Sequence, residues 1–364
     1  MAGYFLSLSY LALAAGTVSA GWLSDRLQRR KALLIAAGMV SIPTLWLMGQ
    51  VTNIWVLAAA SAAWYFCAGM SVTLINILAG LFAAEKDRGK VFGILSLNSA
   101  LGSLAGGLAM GPIADRWGFP AMFVLLSTFG LLWPITGLLL KDKPLVRDAS
   151  TGTKATGDSP GLGRSFYLLF LGSLAATIAA YLFIMGRSLV MDELGFGAGA
   201  ISTTSAISEV PILPLPLLLG WLSDRVGRRR FLILGYLATT ASLLGLTRSA
   251  SLWHFWVTSI LVTISFVTGA VGTALVADLV PARSLGRALS LFGATGWIAG
   301  ILGCAGAGYA VQVLGPVSTF VAGAFLPLIA GAVMLATRQA SREEKPMALP
   351  SANASPAEPL PARV

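Results

Sequence analysis

Residues 21–31 read Gly21-Trp-Leu-Ser-Asp-Arg-Leu-Gln-Arg-Arg-Lys31, and 199 residues later the chain reads Gly220-Trp-Leu-Ser-Asp-Arg-Val-Gly-Arg-Arg-Arg230. Each copy is wedged between long apolar runs. A charged segment duplicated in that setting marks a loop between membrane-spanning helices, and its return marks an internal repeat. A second alignment, at an offset of 197, places Gly89-Lys90 on Gly286-Arg287, Gly106 on Gly303, Gly111 on Gly308, Gly118 on Gly315 and Phe123 on Phe320. The chain is therefore two copies of one helical unit.

Composition agrees. Hydrophobic residues make up 56% of the 364 and charged residues only 11%, which does not fit a water-soluble domain of this length. The formal net charge is +10, but Lys and Arg sit in short clusters between apolar runs and form no continuous basic face, so no nucleic-acid partner is expected. Apolar runs of spanning length give eleven segments: 4–22, 32–49, 54–83, 92–114, 119–140, 165–186, 199–222, 231–249, 252–280, 286–313 and 316–337. With the Asp-Arg loops on the cytoplasmic side, every basic residue except Arg116, Arg187 and Arg248 falls on that side, so the positive-inside rule sets the orientation with a cytoplasmic C-terminus. The polar segment 141–164 separates five spans from six as a linker. The Pro- and Ala-rich tail 338–364 is expected to be disordered. The expected domains are thus an N-terminal bundle over 1–140 and a C-terminal bundle over 165–337.

The first copy of the unit has 20 residues before Gly21, whereas the second has 55 from Ser165 to Gly220. One helix and its loop are expected to be missing from the first half, either in fact or because the recorded start is too late. The first span lacks a basic n-region and leads into the loop motif, so it reads as structure and not as a signal peptide.

On these residues the chain resembles the major facilitator superfamily. That family has two six-helix bundles and a loop signature Gly-x-Leu-(Ala/Ser)-Asp-Arg-x-Gly-Arg-Arg after the second helix. Gly220, Leu222, Ser223, Asp224, Arg225, Gly227, Arg228 and Arg229 fit throughout; Gly21, Asp25, Arg26, Arg29 and Arg30 match in the first copy, which departs at Gln28. The resemblance implies an all-α membrane protein with an MFS-type two-bundle inverted-repeat transporter fold. It also implies that these loops pin the cytoplasmic helix ends together in the outward-facing state. The plainer reading is that the basic residues serve only as topology determinants, against which stand Asp25 and Asp224, since topology does not call for acids. The family's antiporters carry a glycine pattern in the fifth helix, and Gly93, Gly102, Gly106 and Gly111 keep its spacing, with Gly107 and Met110 in place of Pro and Gly. Close packing of membrane helices explains such glycines equally well.

No phosphate-loop motif appears, which leaves an ion gradient as the expected source of energy. Of the acids, only Glu209 lies deep in a span, eleven residues from Gly220, or about 16 Å along a helix. A carboxylate at that depth costs on the order of 3 kcal/mol, which makes Glu209 the candidate proton-coupling or substrate-binding group. Pro211, Pro214 and Pro216 deprive the carbonyls of Ile207, Val210 and Ile212 of their helical donors, and Ser205 and Ser208 add hydroxyls. The bland alternative is a protonated glutamate bonded between helices.

By correspondence with the family, Trp64, Tyr65, Asn76, Thr177, Tyr181, Thr258, Thr263, Ser265 and Thr268 are candidates for the cavity wall, with Asn98 one helix further on. Hydroxyls in such helices often bond their own backbone, which weakens any single one. With no embedded Arg or Lys expected, the solute reads as amphiphilic or weakly polar. Cys67 and Cys304 match no disulfide or metal spacing, His254 reads as part of an interfacial aromatic belt, and Gly195 to Gly199 lack the strand a nucleotide site needs. No metal and no cofactor are expected. The expected function is a proton-coupled secondary transporter of a small organic solute in a bacterial inner membrane, working as a monomer, with export favoured. Uptake of a sugar- or nucleoside-like solute is the alternative, and a non-transporting receptor or partner-dependent fragment a further one.

Overall fold

The computed structural model describes residues 2–27, 29–82, 88–139, 162–212, 225, 227–280 and 284–343. Among them there is no strand. A bilayer offers no water to backbone amides, and helices satisfy those groups within one segment. The helices in chain order are α1 Ala2–Leu27, α2 Arg30–Gln50, α3 Ile54–Phe82, α4 Arg88–Gly130, α5 Leu132–Leu139, α6 Gly163–Glu193, α7 Ala198–Glu209, α8 Arg228–Leu246, α9 Leu252–Leu279, α10 Leu285–Leu314 and α11 Pro316–Glu343. A short 3₁₀ turn, Val210–Ile212, follows α7.

Eight stretches among the described residues are long and apolar enough to cross a membrane. The count differs from eleven for physical reasons. The 43-residue stretch Leu97–Leu139 holds two expected spans, folded at Gly118 (φ 79°, ψ 165°). The span 199–222 is described only to residue 212. The helix α8 opens with three arginines, Arg228, Arg229 and Arg230, and ends after 19 residues. The expected linker falls mostly on residues 140–161, outside the described residues, as does the tail beyond residue 343, α11 itself running past the expected boundary at 337.

The repeat is visible in the backbone. Helix α10 begins 197 residues after α4, and Gly315 (φ 78°, ψ 162°) repeats the conformation of Gly118 at the same offset. Only glycine occupies that region without strain. A polypeptide break of this kind at the far end of a span lets the chain reverse within one residue, and a proline two residues on (Pro120) or directly after (Pro316) sets the next helix on its way.

The sheath of the bundle is apolar. Trp55, Val18 and Leu139 are 73–79% exposed, a liability in water that suits contact with lipid tails. Trp55, Trp117 and Trp253 stand exposed at the end of the bundle opposite the Asp-Arg loops, as an interfacial belt requires. His254, beside Trp253, also holds the start of its helix: its Nδ1 lies 2.7 Å from the Ser251 hydroxyl in a capping box that opens α9. Inside, Phe183, Leu243, Phe255 and Phe320 interlock in the second half, and Leu34, Cys67, Met70 and Leu74 in the first. Cys67 and Cys304 are both buried and unbridged.

The two halves meet through repeat-related helix pairs, α1 with α10 and α4 with α7. Substituting Gly118→Ala or Gly315→Ala is expected to cost about 1–3 kcal/mol each, because an added Cβ meets no wall and the loss is conformational. Thermal unfolding in detergent checks this; unchanged midpoints would contradict it.

Candidate functional site

Small residues decide where the halves touch. A Cβ added at Gly3 would lie 2.8 Å from the Gly308 Cα, and one at Gly300 2.9 Å from the Tyr10 ring; Ser7 donates to the Ile301 carbonyl at 2.8 Å. On the other pair, a Cβ at Gly107 would lie 2.8 Å from the Ala206 Cβ and one at Gly111 2.8 Å from the Gly199 Cα, and the Ser202 hydroxyl donates to the Gly107 carbonyl. All these contacts lie on the half of each helix away from the Asp-Arg loops. Toward the loops, a side chain at Gly21, Gly102, Gly293 or Gly296 would meet nothing within 4 Å. Among the described residues, the contacts that join the halves lie at the end away from the loops.

Beside these contacts lies a cavity of 410 Å³. Tyr10 of α1 supplies a wall from the first half; Tyr181 and Arg187 of α6, Ser205 and Glu209 of α7 and Phe266 of α9 supply the rest. A second space of 280 Å³ continues toward the loop end, sharing Tyr181 and Phe266 and adding Thr177, Ser265 and Tyr236. The aromatic rings form a chain through both halves. Trp64 stands edge-on to Tyr65 at 4.9 Å, Tyr65 lies 6.4 Å from Tyr10, Tyr10 meets Tyr181 at 5.1 Å and Tyr181 meets Phe266 at 5.8 Å. Such pairs prefer tilted or edge contacts, which leave ring faces to a solute.

The cavity is more polar than the sequence suggested. Arg187 was expected just outside a span ending at 186; instead α6 continues to Glu193 and holds the side chain inside, 5% exposed. Its Nη1 donates to the Ser259 hydroxyl of α9 at 2.9 Å and its Nη2 to the Ser205 hydroxyl of α7 at 2.6 Å. The expectation of no embedded cation is overturned. A span was ended at the first arginine, yet a guanidinium is tolerated at depth when neighbouring helices bring hydroxyls to it. Serines at 205 and 259 were the available signal.

Glu209 lines the same cavity, half-buried, as the last residue of α7. The helix there does not leave the Ile207 carbonyl bare, as Pro211 led one to expect. It tightens into the 3₁₀ turn, and the Val210 amide donates to Ile207 O. Ser208 bonds the Ser205 carbonyl at 2.6 Å.

The other candidates divide. Tyr181 and Thr263 line the main cavity, and Thr177, Tyr181 and Ser265 the second; Trp64 and Tyr65 reach it through Tyr10. Thr258 is buried against its own helix, donating to the His254 carbonyl at 2.9 Å. Asn76 and Asn98 are exposed and line neither space. The Thr268 side chain lies outside the described residues. Of the glycines in the antiporter-like pattern, Gly111 sits at a crossing, Gly102 and Gly106 face open space, and the surroundings of Gly93 are not described. In the loop motif, Arg26 lies over the Trp22 ring at 5.1 Å, Arg30 is buried with its Nε on Ser24 at 2.7 Å, Arg29 and Arg225 are exposed, and Arg228 pairs with Asp278 at 2.8 Å. Arg229 stands in the first turn of α8, and Gly227 precedes it at φ 97°. Gly220, Asp224 and the Asp25 side chain lie outside the described residues.

One contact between the halves escaped the sequence reading. Asp115, at the far end of the first arm of α4, accepts a hydrogen bond from the Gly199 amide at 2.6 Å, so a carboxylate of one half caps the N-terminus of α7 in the other. The glycine-rich stretch before α7 has this purpose: a Cβ at Gly197 would crowd Asp115 at 3.2 Å.

A family model described as Major Facilitator Superfamily matches residues 1–180 and 168–362, nearly the whole chain. The chain belongs to the major facilitator superfamily. Among its curated relatives, the multidrug resistance protein MdtG of Escherichia fergusonii is 28% identical over 263 residues, 69% of this chain and 63% of that protein. MdtG of Serratia proteamaculans is 28% identical over 269 residues, 70% of this chain and 63% of its own length. The chain thus spans less than two thirds of these relatives. Crystal structures share the fold at low identity: a peptide transporter POT (TM-score 0.74, 13% identity, 93% of this chain and 85% of that one) and the nucleoside transporter NupG (TM-score 0.69, 14% identity, 93% and 91%). As a member of this superfamily the protein is an integral membrane protein, and its repeat-related contacts are the superfamily's two-bundle arrangement.

Removing the trans cap with Asp115→Ala is expected to loosen the α4–α7 contact by about 1 kcal/mol, roughly fivefold in the balance between joined and parted ends. Maleimide labelling of Ser202→Cys, with Cys67 and Cys304 replaced, should quicken accordingly. An unchanged rate would show that Asp115 does not latch the halves.

Proposed function

We propose that this protein is a secondary transporter of a small organic solute, working by the rocking of residues 1–140 against residues 165–337. The observation that carries the reading is the central cavity itself, walled by Tyr10 from one half and by Arg187 and Glu209 from the other, with the joining contacts among the described residues at one end. A solute held between bodies that touch at a single end is exposed to one side of the membrane; rocking about it exposes the other.

Positive charge sets the sides. The Asp-Arg loops and the C-terminus face the cytoplasm of a bacterial cell, so this conformation is closed outside and open inward. The cap from Asp115 to Gly199 holds the outer end. In the outward-facing state the two Asp-Arg loops take over at the inner end. Export is the favoured direction, in keeping with the multidrug resistance relatives.

Glu209 carries the coupling proton. It is the acid in the cavity wall, at the end of α7, whose start carries the outer latch, and it shares that wall with a cation, Arg187. A carboxylate placed so changes the charge of the cavity by one unit as it exchanges a proton, and a charge change at the site of rocking biases which end opens.

Proteoliposomes enclosing a pH-sensitive dye test this. A solute that drives proton movement in the wild type is expected to drive none with Glu209→Gln, while the variant reaches the membrane in the same amount and melts at the same temperature. Undiminished proton movement with the variant would remove Glu209 from the coupling role.

A further inference from the structure

The Arg187 guanidinium is a buried cation with no buried partner of opposite sign. Among the described residues no carboxylate lies within 4 Å of it, and the groups it does meet, Ser259 and Ser205, are neutral hydroxyls. Five N–H donors radiate from a guanidinium in a fixed fork. Here Nη1 and Nη2 are each engaged once, and Nε, buried as well, has no partner among the described residues. Unpaired charge at this depth is costly, and something that enters the site can relieve the cost.

The setting says what enters. Arg187 is one of the residues that line the cavity, so the guanidinium stands at the wall of a space large enough for a solute, with its Nε buried behind. The serines on either side fix the plane of the fork, and the rings of Tyr10, Tyr181 and Phe266 line the space beside it. A planar fork of N–H groups matches an oxyanion such as a carboxylate, and aromatic walls match a flat apolar body, with which a single carboxylate fits better than a more heavily charged phosphate. We infer that Arg187 is the anchor for an anionic group, and that the solute is an amphiphile bearing one carboxylate on an aromatic or apolar frame. This rests on the transporter reading and narrows its substrate class.

Glu209 then has a second meaning. With a carboxylate solute on Arg187, an ionised Glu209 puts two negative charges in one cavity, whereas a protonated one leaves a neutral pair of solute and arginine. Solute and proton therefore enter the same balance of charge. A purely structural Arg187, stapling α6 to α7 and α9 through the two serines, would show no preference among solutes by charge.

The test uses the purified full chain in lipid nanodiscs and three probes of nearly equal shape: 2-naphthoate, 2-naphthamide and 2-naphthylmethylamine, the last a cation. Binding is read by calorimetry, with and without chloride. The wild type is expected to bind naphthoate about thirtyfold more tightly than the amide, the ratio expected for one buried charge-assisted contact. Arg187→Gln should abolish that preference and Arg187→Lys restore part of it. Naphthoate bound no more tightly than the amide in the wild type overturns the assignment without recourse to any variant. Loss of naphthoate binding in chloride also overturns it, by giving the site to a halide. Proton flux in vesicles is scored separately: flux driven by the amide or the amine, with no preference for naphthoate, would sink the anion anchor while the transporter reading stands.

Discussion

The arrangement depends on two helix crossings that small residues make possible. Apolar surface gives no drive for association inside lipid, where tails are as apolar as leucine, so the halves hold together by close backbone approach and a few polar bonds. Gly3 against Gly308, and Gly107 and Gly111 against Ala206, Ser202 and Gly199, supply that approach. Gly111 and Gly308 occupy the same place in the repeat. One sequence feature, copied, therefore makes both contacts, and because both lie away from the loops the remainder of the interface is free to part. The cavity is the geometric consequence.

Chemistry enters through the polar groups that the parting leaves behind. The helices α6, α7 and α9 converge on Arg187, whose cost of burial is only partly met by two serines. In a protein selected for stability alone, such a cation would gain from replacement by a packed apolar side chain. Its presence in one cavity wall with Glu209, among aromatic, aliphatic and hydroxyl side chains, fits the inferred site whose missing partner comes and goes. Transport needs this incompleteness, since a fully satisfied site would hold its solute or exclude it.

Much of the fold was legible because a bilayer restricts the choices. Apolar length gave the helical membrane class and the twin Asp-Arg loops gave the repeat; Gly118 and Gly315, matched in the sequence only as a repeated pair, prove in the backbone to be reversal points. The candidate site was legible in part. Glu209, Tyr181 and Thr263 border the cavity, but Thr258 spends its hydroxyl on its own helix and Asn76 and Asn98 face elsewhere. Arg187 was missed because a hydropathy window ends a span at the first charge and carries no knowledge of the serines waiting on neighbouring helices. Asp115 was missed for a related reason: an acid near a helix end reads as a loop residue until the N-terminus it caps, 84 residues onward, is placed beside it. Tyr10, which closes the aromatic chain between halves, has no local signature.

Paired spin labels in proteoliposomes address alternating access most directly. One pair, Arg29→Cys with Ser284→Cys, spans the loop end; the other, Tyr4→Cys with Tyr309→Cys, spans the opposite end; both are set in a background with Cys67 and Cys304 replaced. The account predicts that on moving between acidic and alkaline pH one distance shortens as the other lengthens, each pair showing two populations in reciprocal proportion. A single fixed distance at both ends, unmoved by pH and by bound solute, would contradict it.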